Sequence, residues 1–347
     1  MRPVSSAKQT RIILIVLPVI ALITGFVCVC AGSVAISPAD TLAVLHSALT
    51  GSPLPENIPA STASILLSVR LPRVLCVALT GASLSICGAA MQGLLKNPLA
   101  DGSTLGVSTG ASLGAALSIA FGLRIPFLPF SAASGMAAVF AFLSLMIIMA
   151  LAWRMDHTLS TNTIILIGII YSMFFSSILS LVVTFASSRL KQITFWTMGS
   201  LSGSSFRNAA VLAAALLICG GILLSLADEL NAFAVGENEA RSIGVNVRRT
   251  RLTVLASVSV LIGISVSIGG SIAFVGLVTP HIVRMITGPN HRKLLPACLF
   301  GGAVFLLLAD LAARVLLKPL ELPVGVVTSF AGAVVFVVIY YRTRKNF

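Results

Sequence analysis

The stretch Gly81-Ala-Ser-Leu-Ser-Ile-Cys-Gly88 recurs 182 positions later as Gly263-Ile-Ser-Val-Ser-Ile-Gly-Gly270. Both copies follow the pattern G-x-S-x-S-I-x-G in apolar sequence, and a proline follows each final glycine by ten positions, Pro98 and Pro280. Duplication inside a polytopic membrane protein is typical of transporters, whose pathway forms where the repeats meet. The alternative is chance resemblance between two segments rich in small residues. We predict an internal repeat, which we expect to be inverted, with halves at about 70–190 and 250–341.

The composition indicates an integral membrane protein. Hydrophobic residues make up 57% of the 347 positions, 10% are charged and the mean hydropathy is +1.05, whereas a soluble domain carries about 25% charged residues. We predict an all-α polytopic fold in a single transmembrane domain, 1–347, with a long outer loop at about 33–70.

The first apolar run is too long for a signal peptide, so we expect an uncleaved span. The apolar runs that approach the ~20 residues of a membrane span lie at about 12–32, 74–95, 103–122, 130–152, 162–186, 208–227, 252–270, 272–287, 294–317 and 323–341. The eighth run is short and contains Pro280, so we expect a half-helix there.

The formal net charge of +13 follows the predicted topology. With ten spans and an inner N-terminus, 15 of the 23 lysines and arginines fall on the cytoplasmic side. This bias obeys the positive-inside rule and predicts that both termini are cytoplasmic. The basic balance therefore predicts a lipid environment and an orientation, not a nucleic-acid partner.

Motifs for catalysis or metal binding are missing from the sequence. It has no Gly-Lys dipeptide, and therefore no phosphate-binding loop of the G-x-x-x-x-G-K-[ST] type. Its four histidines are dispersed, and its six cysteines lie in or beside apolar runs, so we predict no catalytic residue, metal site or cofactor. Asp310 lies four residues before Arg314, so the two side chains share one helix face. We predict that they form a structural ion pair, and a proton relay is the alternative. Buried charge is otherwise scarce, so we expect the energy source to lie outside this chain.

Several motifs occur in an order that resembles a known family. They are Arg70-Leu-Pro-Arg73, Gly88-Ala-Ala-Met-Gln-Gly-Leu-Leu-Lys-Asn-Pro-Leu-Ala100, Leu105-Gly-Val-Ser-x-Gly110-Ala, Gly236-Glu237 with Ala240 and Gly244, Phe274-x-Gly276-Leu-Val-x-Pro280-His281-Ile-x-Arg284, Leu308-Ala-Asp310 and Glu321-Leu-Pro-x-Gly325. Over nearly the full length, the chain resembles the permease subunit of type II ABC importers, which take up ferric siderophores, haem and vitamin B12. The resemblance implies ten helices, two permease copies around one pathway and two separate ATP-binding subunits in the cytoplasm. We expect the permease pair to be a homodimer, and pairing with a homologous subunit is the alternative.

The segment between the sixth and seventh spans has leading acidic residues and trailing arginines, which predicts one or two short surface helices. From the residues alone it is either a solvated loop or a docking element. The resemblance makes 230–248 the loop that contacts the ATP-binding subunits. It implies docking contacts from Glu237, Glu239 and Arg241, with Gly236 in the same loop. The small residues Ala240 and Gly244 would let the loop lie close to its partner.

The resemblance also implies an outer docking site and a pathway. Arginines that receive glutamates of an extracytoplasmic binding protein correspond to Arg70, Arg73 and Arg314, and guanidinium suits bidentate carboxylate binding. Because Arg314 could also pair with Asp310, we expect that carboxylate to position it. The inner gate corresponds to Thr161 and Asn162, for which a helix N-cap is the alternative. Pro98 and Pro280 suggest broken helices along the pathway, together with Asn97, Gly276 and His281.

The sequence leaves the substrate open. A ferric siderophore is our leading expectation, followed by vitamin B12 and haem, and no single residue decides among them. A secondary carrier of another class is disfavoured by the scarcity of buried charge. An intramembrane enzyme is disfavoured because the dispersed polar residues supply no catalytic dyad. We expect the chain in the cytoplasmic membrane of a bacterium or archaeon.

Overall fold

The computed structural model describes residues 7–32, 34, 36–101, 106–123, 131–156 and 160–344, and within these residues all regular structure is helical. The helices are α1 Ala7–Cys30, α2 Pro38–Thr50, α3 Ala60–Leu95, α4 Val107–Phe121, α5 Ala132–Met155, α6 Thr161–Phe185, α7 Leu190–Thr197, α8 Phe206–Ser225, α9 Ala227–Val235, α10 Glu237–Ser242, α11 Val247–Gly269, α12 Val275–Thr287, α13 His291–Val315 and α14 Val324–Arg344. We call the ends predicted to face the cytoplasm inner and the opposite ends outer.

The predicted all-α membrane fold is confirmed. Among the described residues, seven helices are long and apolar enough to cross a membrane, namely α1, α3, α5, α6, α8, α11 and α13. The apolar parts of α4, α12 and α14 are shorter. Together, the seven long helices and the three shorter ones correspond one to one to the ten predicted apolar runs.

The outer segment predicted as a long loop is largely helical, so that part of the prediction is wrong. The Ser37 side chain caps α2 by accepting a hydrogen bond from Asp40 N–H, Pro38 opens the helix, and Gly51 ends it at φ 70°. Helix α3 also begins well before residue 74. It contains a π-helical turn at Ile65–Arg70, which ends two residues before Pro72, a residue with no N–H to donate.

The eighth span is short, as predicted, but its break is not at Pro280. Helix α12 continues through Pro280 for 13 residues. The irregular backbone precedes the helix, between Gly270 and Phe274, both of which have a φ of 69°. Only glycine adopts that conformation readily, so Phe274 holds a strained backbone at the start of α12.

The two predicted halves pack on each other reciprocally. Helix α3, the first of one half, packs along α13, the third of the other, while α11 packs on α5 in the same way. Within each half the second and third helices also pair, α4 with α5 and α12 with α13. The inverted repeat stays a prediction, which this reciprocity supports.

The two copies of the repeated phrase differ in local structure. The first lies in the middle of α3, and all eight of its residues are buried. The second closes α11, with Gly270 as its C-cap. The prolines ten positions later also differ, because Pro98 lies in the turn after α3 whereas Pro280 lies inside α12. The predicted helix break at Pro98 is therefore wrong.

Glycines set the distance between α3 and its neighbours. A Cβ atom on Gly88 would lie 1.7 Å from the carbonyl oxygen of Gly276 on α12, and one on Gly81 would lie 2.3 Å from that of Gly302 on α13. Both contacts are backbone against backbone, so no side chain can move aside. Close approach through small residues is how helices pack without a hydrophobic driving force in lipid. Helix α3 thereby becomes the buried centre of the molecule.

We expect Gly88→Ala to lower the free energy of unfolding by about 1–3 kcal/mol or more, because α3 and α12 must separate. Thermal unfolding of the purified protein in detergent would measure this loss. Gly221→Ala on α8 is the matched control, since an added Cβ there meets nothing within 4 Å. Equal melting temperatures for the two variants would contradict the packing argument.

Candidate functional site: an outer arginine cluster and an inner loop

The outer ends of α3 and α13 meet at an ion cluster centred on Asp310. Arg73 donates from Nε to Asp310 Oδ1 at 3.0 Å, with Nη2 2.9 Å from the same oxygen. Arg314 places Nε 3.0 Å from Asp310 Oδ2, so the predicted pair is present. Arg73 Nη1 also bonds Glu321 Oε2 at 2.8 Å. Asp310 is fully buried while the Glu321 side chain is 37% exposed, so Glu321 connects this cluster to the surface.

Arg70 and Arg314 also bind the outer end of α1. The last carbonyl groups of a helix have no intrahelical donor and carry its negative dipole end, which favours cations. Arg70 Nη1 donates to two of these carbonyls at 3.0 and 2.7 Å, and Arg314 donates to two more at 2.9 and 3.1 Å. The accepting residues are Val29 and Cys30 for Arg70, and Ala31 and Cys28 for Arg314, while Arg70 Nη2 reaches Val34 beyond the helix.

The structure brings the three predicted docking arginines together, but their side chains are not free. Arg70, Arg73 and Arg314 are 5%, 7% and 3% exposed, and each is bonded within the chain. The Arg73–Asp310 and Arg73–Glu321 pairs were not predicted, because these partners lie more than 230 residues apart in the sequence. The docking role itself stays a prediction.

The inner segment forms two short helices, α9 and α10, as predicted. Glu237 at the start of α10 joins this segment to α11: its Oε2 accepts from Arg251 Nη2 at 2.9 Å and its Oε1 from Arg241 Nη2 at 3.0 Å. The Arg251 side chain is fully buried, whereas Arg241 is exposed. Glu239 is exposed too. A Cβ on the preceding Gly236 would meet the Glu239 carboxylate at 1.6 Å.

Two apolar side chains in this segment that were not predicted as contact residues are largely exposed. Ala240 is fully buried inside its own chain, so the expectation that it faces a partner is wrong. Gly244 is exposed at φ 90° with open space around it, which suits a turn. Val235 and Ile243 are 77% and 72% exposed. Each of these two residues directly precedes a glycine in an otherwise polar loop, and that pattern could have indicated an exposed apolar contact.

At the predicted gate, the helix cap is supplied by neither candidate residue. Helix α6 begins at Thr161, whose side chain lies outside the described part, and Asn162 is exposed. Ser160 caps the helix by accepting from Thr163 N–H at 3.4 Å, and Asp156 accepts from Ser160 N–H at 2.9 Å. The structure thus leaves the gate role of Thr161 and Asn162 as a prediction.

Gln92 on α3 satisfies backbone groups that Pro280 leaves open on α12. Since proline has no N–H, Gly276 O lacks its usual partner four residues along. Gln92 Nε2 lies 3.4 Å from Gly276 O and 3.3 Å from Leu277 O, and Gln92 Oε1 accepts from Arg284 Nη2 at 3.0 Å. This polar junction lies inside the span, where unpaired backbone groups are costly.

The remaining predicted pathway residues are divided between two places. His281, beside Pro280, is half-buried, and its ring meets Phe336 of α14 edge to face at 6.3 Å. Asn97 and Pro98 lie in the turn after α3, where Asn97 Oδ1 accepts from Leu99 N–H at 2.9 Å. Among the described residues, no group of three or more His, Cys, Asp or Glu side chains could hold a metal ion.

Comparison with known proteins shows the family. The model of the FecCD transport family matches residues 20–342. The ABC transporter permease protein YvrB of Bacillus subtilis, itself uncharacterised, is 39% identical over 94% of this chain and 92% of its own. The vitamin B12 import system permease protein BtuC of Klebsiella pneumoniae is 35% identical, covering 97% of this chain and 96% of its own. Further relatives are named as permeases for haemin and molybdate.

A solved structure agrees with these sequence relatives. It is described as an inward-facing metal-chelate type ABC transporter, and it superposes with a TM-score of 0.82 at 32% identity, covering 95% of this chain and 99% of that one. The relatives are permease subunits and not enzymes, and ATP hydrolysis belongs to separate subunits. The family model, the sequence relatives and the fold together show that this multi-pass protein of the bacterial inner membrane belongs to the FecCD transport family of ABC importer permeases.

Proposed function

We propose that this chain is the membrane subunit through which an ATP-driven importer moves a metal chelate, and that the chelate is a ferric siderophore. The observation that carries the proposal is the pairing of an outer arginine cluster with an inner two-helix loop in a chain that has no phosphate-binding loop of its own. The metal-chelate type of the solved relative supports the substrate class. Vitamin B12 and haem are the alternative substrates, and a secondary carrier is the alternative mechanism.

On the outer side, we propose that Arg73 is the first of the three arginines to meet a carboxylate of the extracytoplasmic binding protein. Its Nε and Nη2 are held by buried Asp310, but Nη1 is held by the half-exposed Glu321. An incoming glutamate could replace Glu321 without unpairing Asp310. Arg70 and Arg314 would bind carboxylates of the binding protein only after their hydrogen bonds to the carbonyl groups at the end of α1 have broken. Charge pairs of this kind fix the register of a complex more than its affinity.

On the inner side, we propose that 230–248 docks on the ATP-binding subunits, one for each permease copy. Val235 and Ile243 would supply buried apolar contacts, while Glu239 and Arg241 would form the charged rim. Glu237, Gly236 and Gly244 would instead hold the shape of the loop. Apolar anchors surrounded by polar residues are the usual anatomy of a protein interface.

We further propose that a second copy of this chain completes the pathway and that both termini are cytoplasmic. Helix α6 exposes Ser176, Ser180 and Thr184 on one face, although it lies in the membrane. The Ser180 and Thr184 hydroxyls donate to carbonyls of their own helix at 3.0 and 2.9 Å, and each hydroxyl oxygen keeps the capacity to accept a further hydrogen bond. We propose that this face borders a polar path between the two copies. Thr161 and Asn162 at the inner end of α6 would then form the gate. Asn97, Pro98, Gly276, Pro280 and His281 remain our candidates for the pathway wall.

The proposed function predicts that a strain lacking this chain loses uptake of radiolabelled ferric siderophore and regains it when the chain is restored. Radiolabelled cobalamin and haem should enter normally. Loss of cobalamin uptake alone would favour the vitamin B12 alternative, and loss of haem uptake alone would favour haem. Ferric siderophore uptake that persists without the ATP-binding subunits would point to a secondary carrier instead.

The docking proposal predicts that Glu321→Gln strengthens binding of the importer's own soluble binding protein about threefold to tenfold, because a competing carboxylate is removed. Surface-immobilised permease in nanodiscs would give the dissociation constants. Glu56→Gln removes an equal charge from an exposed position of the predicted outer segment and should change nothing. Unchanged or weaker binding by the Glu321 variant would rule out the exchange of carboxylates at Arg73.

The inner proposal predicts that Ile243→Ser weakens association with the ATP-binding subunits about tenfold or more, since one buried aliphatic side chain contributes about 1.5–3 kcal/mol. Co-purification from detergent at several protein concentrations would measure the effect. The control is Leu49→Ser, which removes a side chain that is 87% exposed on α2, in the outer segment. If both variants retained their partners equally, Ile243 would not be an anchor.

A further inference from the structure

Asn231 on α9 fastens the inner loop to the first turn of α13. Its side-chain oxygen accepts a hydrogen bond from His291 N–H at 2.8 Å and lies 3.0 Å from His291 Nδ1. Its amide nitrogen donates to Asn290 Oδ1 at 3.1 Å. Asn290 is itself the N-cap of α13, because the same oxygen accepts from Arg292 N–H at 2.9 Å. One side chain thus contacts both residues that begin the helix.

A second bond strengthens the same junction. The two carboxylate oxygens of Asp228, also on α9, bind Nε and Nη2 of Arg292. These hydrogen bonds hold the pKa of Asp228 below its ordinary value, because they favour the charged carboxylate. Both side chains are more than half exposed, and bidentate geometry therefore matters more here than burial.

The start of α13 is also held from the side of α3. The His291 side chain is buried, and a Cβ on Gly93 would lie 2.4 Å from its Nε2 atom. No described contact gives the neighbouring α10 this attachment; α10 is joined to α11 through Glu237 and Arg251. Helix α9 is joined to α13 by these hydrogen bonds, and it also packs on α3 and α10. Its Phe233 ring lies 5.9 Å from the guanidinium carbon of Arg251 on α11.

Helix α13 carries this junction at one end and the arginine cluster at the other. It runs without a break from His291 to Val315, although Pro296 lies in its second turn. At ~1.5 Å per residue, about 28 Å separate His291 from Asp310. Asp310 is fully buried and bonded to Arg73 and Arg314. Because both ends are fixed by specific bonds, a shift of the outer cluster along the helix axis would move α9.

We infer that Asn231 is a positioning residue that makes α13 the mechanical link between the outer arginine cluster and the loop that contacts the ATP-binding subunits. The inference rests on the proposed function. It assigns the hydrogen-bonded contact between α9 and α13 the task of passing a movement of α13 to the loop. A movement of α13 caused by docking of the binding protein would then be transmitted to the ATP-binding subunits. It would pass through the contact that we call the clasp, which is formed by Asn231, Asp228, Asn290, His291 and Arg292.

The test compares Asn231→Ala with Asn238→Ala in the complete purified importer in nanodiscs. Asn238 is an exposed asparagine on α10, so its variant is a matched control. ATP hydrolysis is measured with and without the importer's substrate-loaded binding protein. We expect Asn231→Ala to assemble, and the ratio of stimulated to basal hydrolysis, each measured on the same variant, to fall at least fivefold. Asn238→Ala should be stimulated like the wild type.

Wild-type stimulation of an assembled Asn231→Ala importer would overturn the inference, and so would an equal loss in the Asn238→Ala control. If Asn231→Ala fails to assemble, the same measurement on Asp228→Ala tests the inference. That variant removes a side chain from the same clasp, and because the side chain is exposed we expect the importer still to assemble. We expect that variant to lose at least half of the stimulation, and full stimulation would overturn the inference. Failure of the wild-type chain to bind any ATP-binding subunit would instead count against the proposed function.

Discussion

The buried carboxylate of Asp310 is the constraint on which the outer half of the molecule depends. Two arginines from different helices converge on it, and removing a charge from water is favourable only when partners of this quality replace the solvent. The pairing fixes α13 against α3, and Arg314 in turn holds the last carbonyls of α1. Three spans therefore take their relative positions from one side chain, which also leaves Glu321 as the exposed member of the cluster.

Backbone groups impose the corresponding constraint deeper in the span. Lipid offers no hydrogen bonds, so each carbonyl freed by a proline needs a partner within the protein. Pro280 frees Gly276 O, and Gln92 reaches across from α3 to bond it. The same two helices approach most closely at Gly88 and Gly276, where a side chain would not fit. Close contacts between glycines and one amide side chain thus add to the buried apolar side chains that fill the space between the helices.

The sequence predicted the spans well because their signal is local. Hydropathy over ~20 residues identifies a crossing wherever its neighbours lie, and each predicted run contains a helix. Features that depend on distant partners were not predictable in this way. Ala240 and Arg73 resembled surface residues from their motifs, yet one packs inside and the other pairs with residues more than 230 positions away. Helix α2 is a different failure, since Ser37, Pro38 and Gly51 mark its ends in the sequence itself.

The arrangement of polar contacts explains how a chain with few intramembrane charges could still relay a signal. Charged and amide side chains cluster at the two ends of α13, and the stretch between them packs through glycines and aliphatic residues. Backbone meets backbone in this stretch at Gly81 and Gly302, so the helix is held there as a stiff element. The bonds at the ends supply direction: Asp310 registers the helix against α3, and Asn231 registers the inner loop against the helix. A stiff helix that is hydrogen-bonded at both ends can therefore connect the outer arginine cluster to the inner loop without a chain of polar residues across the membrane.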